Sequence, residues 1–159
     1  MTDAQDRIER ELTLLVRRTQ RIHLRLPGVV RHVERSAYSI LGRLHDDGPA
    51  RLTTLATLFT LDVSTVSRQV QALRTEGLIS RSADPGDRRA TLISITEHGT
   101  EVLLGMRAAR RALLRELTGE WPAVDRERFA ELLERFNDGV ADRLGGAPES
   151  LPQKGLIRE

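Results

Sequence analysis

The stretch LATLFTLDVSTVSRQVQALRTEGLI, residues 55–79, decides the fold of this chain. Apolar residues at three- and four-residue steps predict a short helix over residues 52–59 and a second helix over residues 63–76. Only three residues separate the two helices, and the small side chain of Ala56 lets them cross closely. Gly77 is placed to end the second helix. The pattern predicts a helix-turn-helix.

The second of these helices has an apolar face and a polar face. At about 100° per residue, the apolar positions fall on one side and the polar positions on the other. The apolar positions are Val63, Val66, Val70 and Leu73, and the polar ones are Ser64, Arg68, Gln71 and Thr75, flanked by Thr65 and Ser67. Hydroxyl groups and a guanidinium can hold phosphates and read base edges in a major groove of DNA. The alternative is an ordinary polar face that contacts only water.

Beyond the second helix, the apolar residues take the spacing of strands. Residues 78–82 and 90–95 are predicted as two strands, joined by the turn-rich loop DPGDRR at residues 84–89. The loop carries one acid and two bases near its tip: Asp87, Arg88 and Arg89. Arginines at such a tip suit a narrow minor groove, and the acid is predicted to brace one of them by a salt bridge. The alternative is a solvated charged turn.

Four longer amphipathic stretches flank this centre. Helices are predicted over residues 4–26, 29–46, 97–117 and 122–144, with Thr96 as the cap of the third. Thr53 or Thr54 is the predicted cap of the short helix. The apolar stripes of the terminal helices are too long for one small core. These helices are therefore expected to pack together, within the chain or across a dimer.

The composition narrows the class of protein. The chain has 159 residues, only 3% of them aromatic, which favours long helices with an aliphatic core. It has no cysteine, which excludes disulfides and zinc–thiolate sites. No phosphate-binding loop, Gly-x-Ser-x-Gly or His-Glu-x-x-His motif occurs, so neither an enzyme nor a cofactor is expected. The acidic N-terminus and the short apolar runs predict a soluble, cytoplasmic protein without a membrane partner.

Several motifs together resemble the MarR family of winged-helix regulators. They are VSRQV at residues 66–70, EGLI at residues 76–79, DPGDRRA at residues 84–90 and ITEHG at residues 95–99. The Asp-Pro-x-Asp-x-Arg wing, followed by a strand and Thr-Glu-x-Gly, is the most specific of these. The resemblance extends over residues 5–145 and implies a mainly α chain with a small β-hairpin. The implied fold is a winged helix-turn-helix with flanking dimerisation helices.

The resemblance also implies an arrangement of domains. An N-terminal dimerisation helix is expected at residues 1–30, a winged helix-turn-helix DNA-binding domain at 31–98, C-terminal dimerisation helices at 99–145 and a flexible tail at 146–159. Two copies would form a triangular homodimer on one pseudo-palindromic duplex. The expected DNA-binding residues are Thr53, Ser64, Thr65, Ser67, Arg68, Asp87, Arg88 and Arg89. Arg89 is expected to enter the minor groove, oriented by Asp87.

The resemblance further implies a pocket for a small aromatic or anionic ligand. It also implies that the protein represses transcription and that the ligand relieves this repression. The candidate lining residues are His23, His32, Tyr38 and Arg43, although the same residues would also suit packing or solvent exposure. Two alternatives stay open. Scattered histidines that gather in space would make a metal-responsive regulator, and a winged helix can also bind protein. Thr60 stands where such motifs often have glycine, so an altered turn is expected there.

Overall fold

Six helices and three strands make up the part of the chain that the computed structural model describes, residues 3–19 and 33–143. The elements in order are α1 (Ala4–Thr19), α2 (Val33–Asp47), β1 (Ala50–Arg51), α3 (Leu52–Leu58), α4 (Val63–Thr75), β2 (Ile79–Asp84), β3 (Asp87–Ile95), α5 (Glu97–Thr118) and α6 (Ala123–Arg143). This order confirms the predicted mainly α fold with a helix-turn-helix and a β-hairpin. Within the described ranges, no helix is long and apolar enough to span a bilayer.

An aliphatic core lies between α2, the helix-turn-helix, the sheet and α5. The buried side chains are Ile40, Leu41, Leu44, Ala50, Leu55, Ala56, Val66, Val70, Leu73, Leu78, Ile79, Ile93, Leu103 and Met106. Val66, Val70 and Leu73 are fully buried, as their spacing predicts, and burying such a side chain stabilises the fold by about 1.5–3 kcal/mol. Val63 was predicted to share this face but is 47% exposed. It lies in the first turn of α4, before the helix reaches the core.

The turn between α3 and α4 keeps a left-handed backbone. Threonine was expected to disfavour a positive φ here, but Thr60 adopts one, with a φ of 52°. The N–H of Leu61 closes the turn by donating to the carbonyl of Ala56 at 3.0 Å. A left-handed residue other than glycine costs about 1–2 kcal/mol. Packing of α4 against α3 therefore outweighs the local preference of the threonine.

The sheet has three antiparallel strands in the order β1-β3-β2. The short strand β1 was not predicted, because two residues are too few to show alternation. Strands β2 and β3 extend farther than expected. Asp84 pairs with Asp87, which leaves only Pro85 and Gly86 as the turn. The segment predicted as a six-residue loop is therefore mostly strand.

The predicted threonine cap of α3 is wrong. The residue before α3 is Arg51, whose backbone is extended (φ −75°, ψ 154°) and whose side chain forms no cap hydrogen bond. Pairing of Arg51 with Leu92 holds the chain extended up to the start of the helix. The helix consequently begins at Leu52, and Thr53 and Thr54 lie exposed in its first turn.

The cap of α5 is confirmed, and it explains the Thr-Glu-x-Gly motif. The Thr96 hydroxyl accepts from the N–H of Gly99 at 3.0 Å and donates to the carbonyl of Gly77 at 2.7 Å. A Cβ at Gly99 would lie 2.0 Å from the carbonyl oxygen of Leu78. Only glycine therefore lets α5 start this close to the strand. Gly77 has a φ of 72° and follows α4, as predicted.

The terminal helices expose apolar side chains. Helix α6 buries no residue, and its exposed apolar side chains are Val124, Phe129, Leu132, Leu133, Phe136 and Val140. On α1, Ile8 and Leu12 are also exposed. Apolar surface of this extent on a single chain usually marks an interface. The predicted continuation of the first helix to residue 26, the start of the second at residue 29 and the tail at 146–159 lie outside the described residues.

Candidate nucleic-acid interface

The N-terminus of α4 is organised by the carboxylate of Asp62. One oxygen accepts from the Ser64 hydroxyl and, at 2.8 Å, from the N–H of Thr65. The other accepts from the Thr65 hydroxyl at 2.6 Å. The hydrogen bonds from Ser64 and then from Thr65 hold the pKa of Asp62 well below its usual value, so this N-cap is an anion at neutral pH. Sequence reasoning missed Asp62, although an aspartate directly before a helix is a standard capping signal.

The same network orients two of the predicted contact residues. Because the Ser64 hydroxyl donates to Asp62, its oxygen presents lone pairs outward. These can accept from the exocyclic amino groups of adenine or cytosine. Arg68 is exposed on the outer face of α4, and its Nη2 donates to Thr65 Oγ1 at 3.4 Å. The guanidinium is thus held near the N-terminal end of the helix, and its other donors are available to a ligand.

A cavity of about 450 Å³ separates the helix-turn-helix from the wing. Its lining combines polar and apolar residues: Arg51, Leu52, Thr53, Ser67, Arg81, Ala90, Thr91 and Ile93. The structure therefore brings the predicted residues Thr53 and Ser67 together. It adds Arg51 and Arg81, which sequence reasoning missed. Arg51 is paired with Asp84, whereas Arg81 forms no ion pair among the described residues, so the Arg81 guanidinium is the group of this lining that favours a phosphate.

The wing turn is shaped by two aspartates. Asp84 Oδ1 accepts from the N–H of Gly86 at 2.8 Å, and Asp87 Oδ1 accepts from the N–H of Arg89 at 3.0 Å. The bond from Gly86 and then that from Arg51 hold the pKa of Asp84 below its usual value. Asp87 was predicted to brace Arg88 or Arg89 by a salt bridge. It forms none with the Arg89 side chain, because its carboxylate faces the Arg89 backbone and Arg51 instead. Arg89 is exposed, and the side chain of Arg88 lies outside the description.

Two of the four candidate ligand residues, Tyr38 and Arg43, lie in the described part of the chain and have partners there. The guanidinium of Arg110 on α5 lies 3.5 Å from the ring centroid of Tyr38, a cation–π contact. Arg43 Nε lies 3.1 Å from Asp47 Oδ2, while the buried Nη1 of Arg43 has no hydrogen-bond partner among the described residues. His23 and His32 lie outside the described residues. The contact with Arg110 favours a packing role for Tyr38. Arg43 keeps one donor without a partner in the described part of the chain.

The remaining histidines have carboxylate neighbours within their own helices. His45 Nδ1 lies 2.8 Å from Asp46 Oδ1, and His98 Nδ1 lies 3.7 Å from Glu101 Oε2. In residues 3–19 and 33–143, no group of three or more histidines and carboxylates is placed to hold a metal ion. The metal-responsive alternative thus finds no support in the described part of the chain.

Comparison with known proteins identifies the family. The sequence model of the MarR family matches residues 33–91. The uncharacterised HTH-type transcriptional regulator YxaD of Bacillus subtilis (strain 168) is 38% identical over 135 residues, which cover 85% of this chain and 94% of YxaD. The chain belongs to the MarR family. It is therefore a DNA-binding transcription regulator of the winged helix-turn-helix type, and the resemblance inferred from the sequence is confirmed.

Further matches are another curated regulator and two solved structures of the same fold. The HTH-type transcriptional repressor NicR of Pseudomonas putida is 30% identical over 95 residues, which cover 60% of this chain and 60% of NicR. A crystal structure of MarR matches with a TM-score of 0.73 at 22% identity, covering 91% of this chain and 98% of that chain. The transcriptional regulator Tm0710 from Thermotoga maritima matches with a TM-score of 0.55 at 26% identity, covering 90% of this chain and 97% of that chain. The names of these relatives are those of regulators.

Proposed function

We propose that this MarR-family protein is a homodimer that binds a pseudo-palindromic DNA operator and represses transcription until a small aromatic or anionic ligand releases it. The observation that carries the proposal is a single surface with three polar features: the N-terminus of α4, the arginine-lined cavity and the wing turn. Such a surface fits the adjacent grooves of a duplex. Because the target is DNA, the proposed location is the cytoplasm.

The proposed major-groove element is α4. Its outer face offers short hydroxyl side chains at Ser64 and Thr65, so the helix can approach base edges closely. Arg68 has the reach to donate to O6 and N7 of a guanine. Thr53 and Ser67, which line the cavity, would contact the phosphates beside that groove. The contacts of α4 would therefore supply most of the sequence preference.

The proposed minor-groove element is the wing turn. Arg89 is exposed just beyond the two-residue turn, and a narrow minor groove attracts arginine by its negative potential. Arg88, adjacent in sequence, would add a phosphate contact. Asp87 would act on Arg89 through the backbone hydrogen bond at 3.0 Å. The wing would therefore sense groove width more than base identity.

The proposed dimer contact joins the terminal helices, residues 1–30 and 99–145. The exposed apolar faces of α1 and α6 support it, since a second copy would remove both from water. Repression is supported by the name of NicR, a transcriptional repressor. The Arg43 Nη1, which has no hydrogen-bond partner among the described residues, supports an anionic ligand near α2. Residues 31–98 would carry the DNA contacts.

Selection of bound duplexes from a random pool tests this proposal. A homodimer should enrich inverted half-sites whose centres lie about 10–10.5 base pairs apart, or a multiple of that spacing. Affinity for the selected duplex should fall steeply with added salt, because released counterions accompany each phosphate contact. Enrichment of no sequence, together with binding that ignores salt, would favour the protein-interaction alternative instead.

A further inference from the structure

Arg51 connects the start of the helix-turn-helix with the tip of the wing. It is the last residue of β1 and immediately precedes α3. Its Nε and Nη2 both contact Asp84 Oδ2, at 2.7 Å and 2.6 Å, and its Nη1 lies 4.0 Å from Asp87 Oδ2. One guanidinium therefore joins both aspartates of the wing turn to a segment 33 residues earlier in the sequence.

The register of the sheet shows why this contact matters for the wing. Strand β1 pairs only through Ala50 and Arg51, with Ile93 and Leu92 of β3. The hairpin continues beyond that point to Asp84 and Asp87 without a third strand beside it. A two-stranded ribbon is marginally stable by itself. The Arg51 side chain spans the central strand and holds the unsupported end of the hairpin to the body of the domain.

Each aspartate uses its second oxygen to shape the turn. While Asp84 Oδ2 holds Arg51, Asp84 Oδ1 accepts from Gly86 N–H. Asp87 Oδ1 likewise accepts from Arg89 N–H while its Oδ2 faces Arg51. A movement of the Arg51 guanidinium would therefore shift both anchors of the segment that carries Arg89.

We propose that Arg51 is a positioning residue for DNA binding, which fixes the angle of the wing so that Arg89 reaches the minor groove. The inference rests on the wing contact proposed above. In this role Arg51 acts through Arg89, and its donors are already directed at carboxylates. Arg81 lines the same cavity but forms no ion pair among the described residues, so its charge is free to meet a phosphate directly.

A double-mutant cycle separates these two roles. Arg51→Gln should weaken binding to the selected duplex about fivefold, and Arg89→Ala about tenfold. In the Arg89→Ala background, Arg51→Gln should cost less than about twofold, because the residue it positions is gone. Arg81→Gln is the matched control, since it removes the same charge from the same cavity. Its loss should persist unchanged in the Arg89→Ala background.

A measurement without DNA completes the test. In Arg51→Gln, amide hydrogen exchange at Gly86 and Arg89 should quicken, while that at the core residue Val70 should not change. Arg51→Lys, which keeps the charge and one donor group, should recover part of both the affinity and the protection.

Three results would contradict either the positioning role of Arg51 or the wing contact on which it rests. Losses from Arg51→Gln and Arg89→Ala that multiply would mean that Arg51 touches DNA itself. Unchanged exchange at Gly86 and Arg89 in Arg51→Gln would mean that Arg51 does not hold the wing. Unaltered affinity in Arg89→Ala would instead refute the proposed wing contact, and a positioning role for Arg51 would fall with it whatever the exchange shows.

Discussion

Replacing Asp46 with asparagine tests the contact that joins α2 to α5. Asp46 Oδ2 lies 2.7 Å from Arg107 Nη2, and the two side chains are 7% and 18% exposed, so water screens the pair only in part. Removing one partner of a fully buried pair costs about 3–5 kcal/mol, whereas a surface pair contributes at most about 1 kcal/mol. We expect a loss of about 2 kcal/mol in the free energy of unfolding, between these limits.

Thermal and urea unfolding at one fixed protein concentration measures this loss. About 2 kcal/mol corresponds to a decrease in Tm of about 4–8 °C for a chain of this size. Asp47→Asn is the matched control, because Asp47 is 53% exposed in its pair with Arg43 and should lose little. Equal losses in the two variants would refute the argument that burial decides the strength of the Asp46 contact.

The same contact predicts a dependence on pH. Burial raises the pKa of Asp46, but hydrogen bonds from His45 and Arg107 outweigh it and hold the pKa below the usual value of 3.8. A carboxyl group whose pKa is lower in the folded state stabilises the fold above its unfolded pKa and loses that contribution as pH falls. The difference in stability between the wild-type protein and Asp46→Asn should therefore shrink below about pH 4. A constant difference down to pH 2 would contradict this assignment.

Three further predictions concern the interface with DNA and the dimer. Arg68→Ala should cost about 1–3 kcal/mol in binding and relax preference at one position of each half-site; an equal loss on all duplexes would make Arg68 a phosphate contact. Arg89→Ala should reduce the slope of log affinity against log salt by about 0.9 in each protomer, and an unchanged slope would mean that the wing does not contact DNA. Asp87→Ala should lose less affinity than Arg89→Ala. Leu12→Asp with Phe136→Glu should give monomers in sedimentation, and a folded wild-type monomer at micromolar concentration would refute the dimer.

Apolar periodicity predicted the order of the helices and of the two hairpin strands, although it missed the two-residue strand β1. The spacing of Val66, Val70 and Leu73 located α4 and its buried face, because a helix of that length must turn one side to the core. Gly77 marked the end of α4, because glycine readily takes the positive φ found there. Thr96 marked the start of α5, because threonine caps helix N-termini. These features follow from residues close together in sequence, which is why the sequence alone predicted them.

The details that sequence reasoning missed depend on distant residues. The pairing of Arg51 with β3 determines where α3 begins, and its contact with Asp84 spans 33 residues. No local pattern signals either contact. The exposure of Val63 likewise depends on where the core ends and not on helical spacing. Asp62 is different, because its capping role was available from the sequence and was overlooked in favour of the turn.

Dimethyl sulfate protection of the selected duplex tests the central claim most directly. The reagent methylates guanine N7 in the major groove and adenine N3 in the minor groove, so one footprint reports on both. The account predicts two clusters of protected guanine N7 atoms about 10 base pairs apart, each flanked on its outer side by protected adenine N3 atoms. Guanine N7 atoms that remain fully reactive in a duplex saturated with protein would contradict the account, because α4 would then not lie in the major groove.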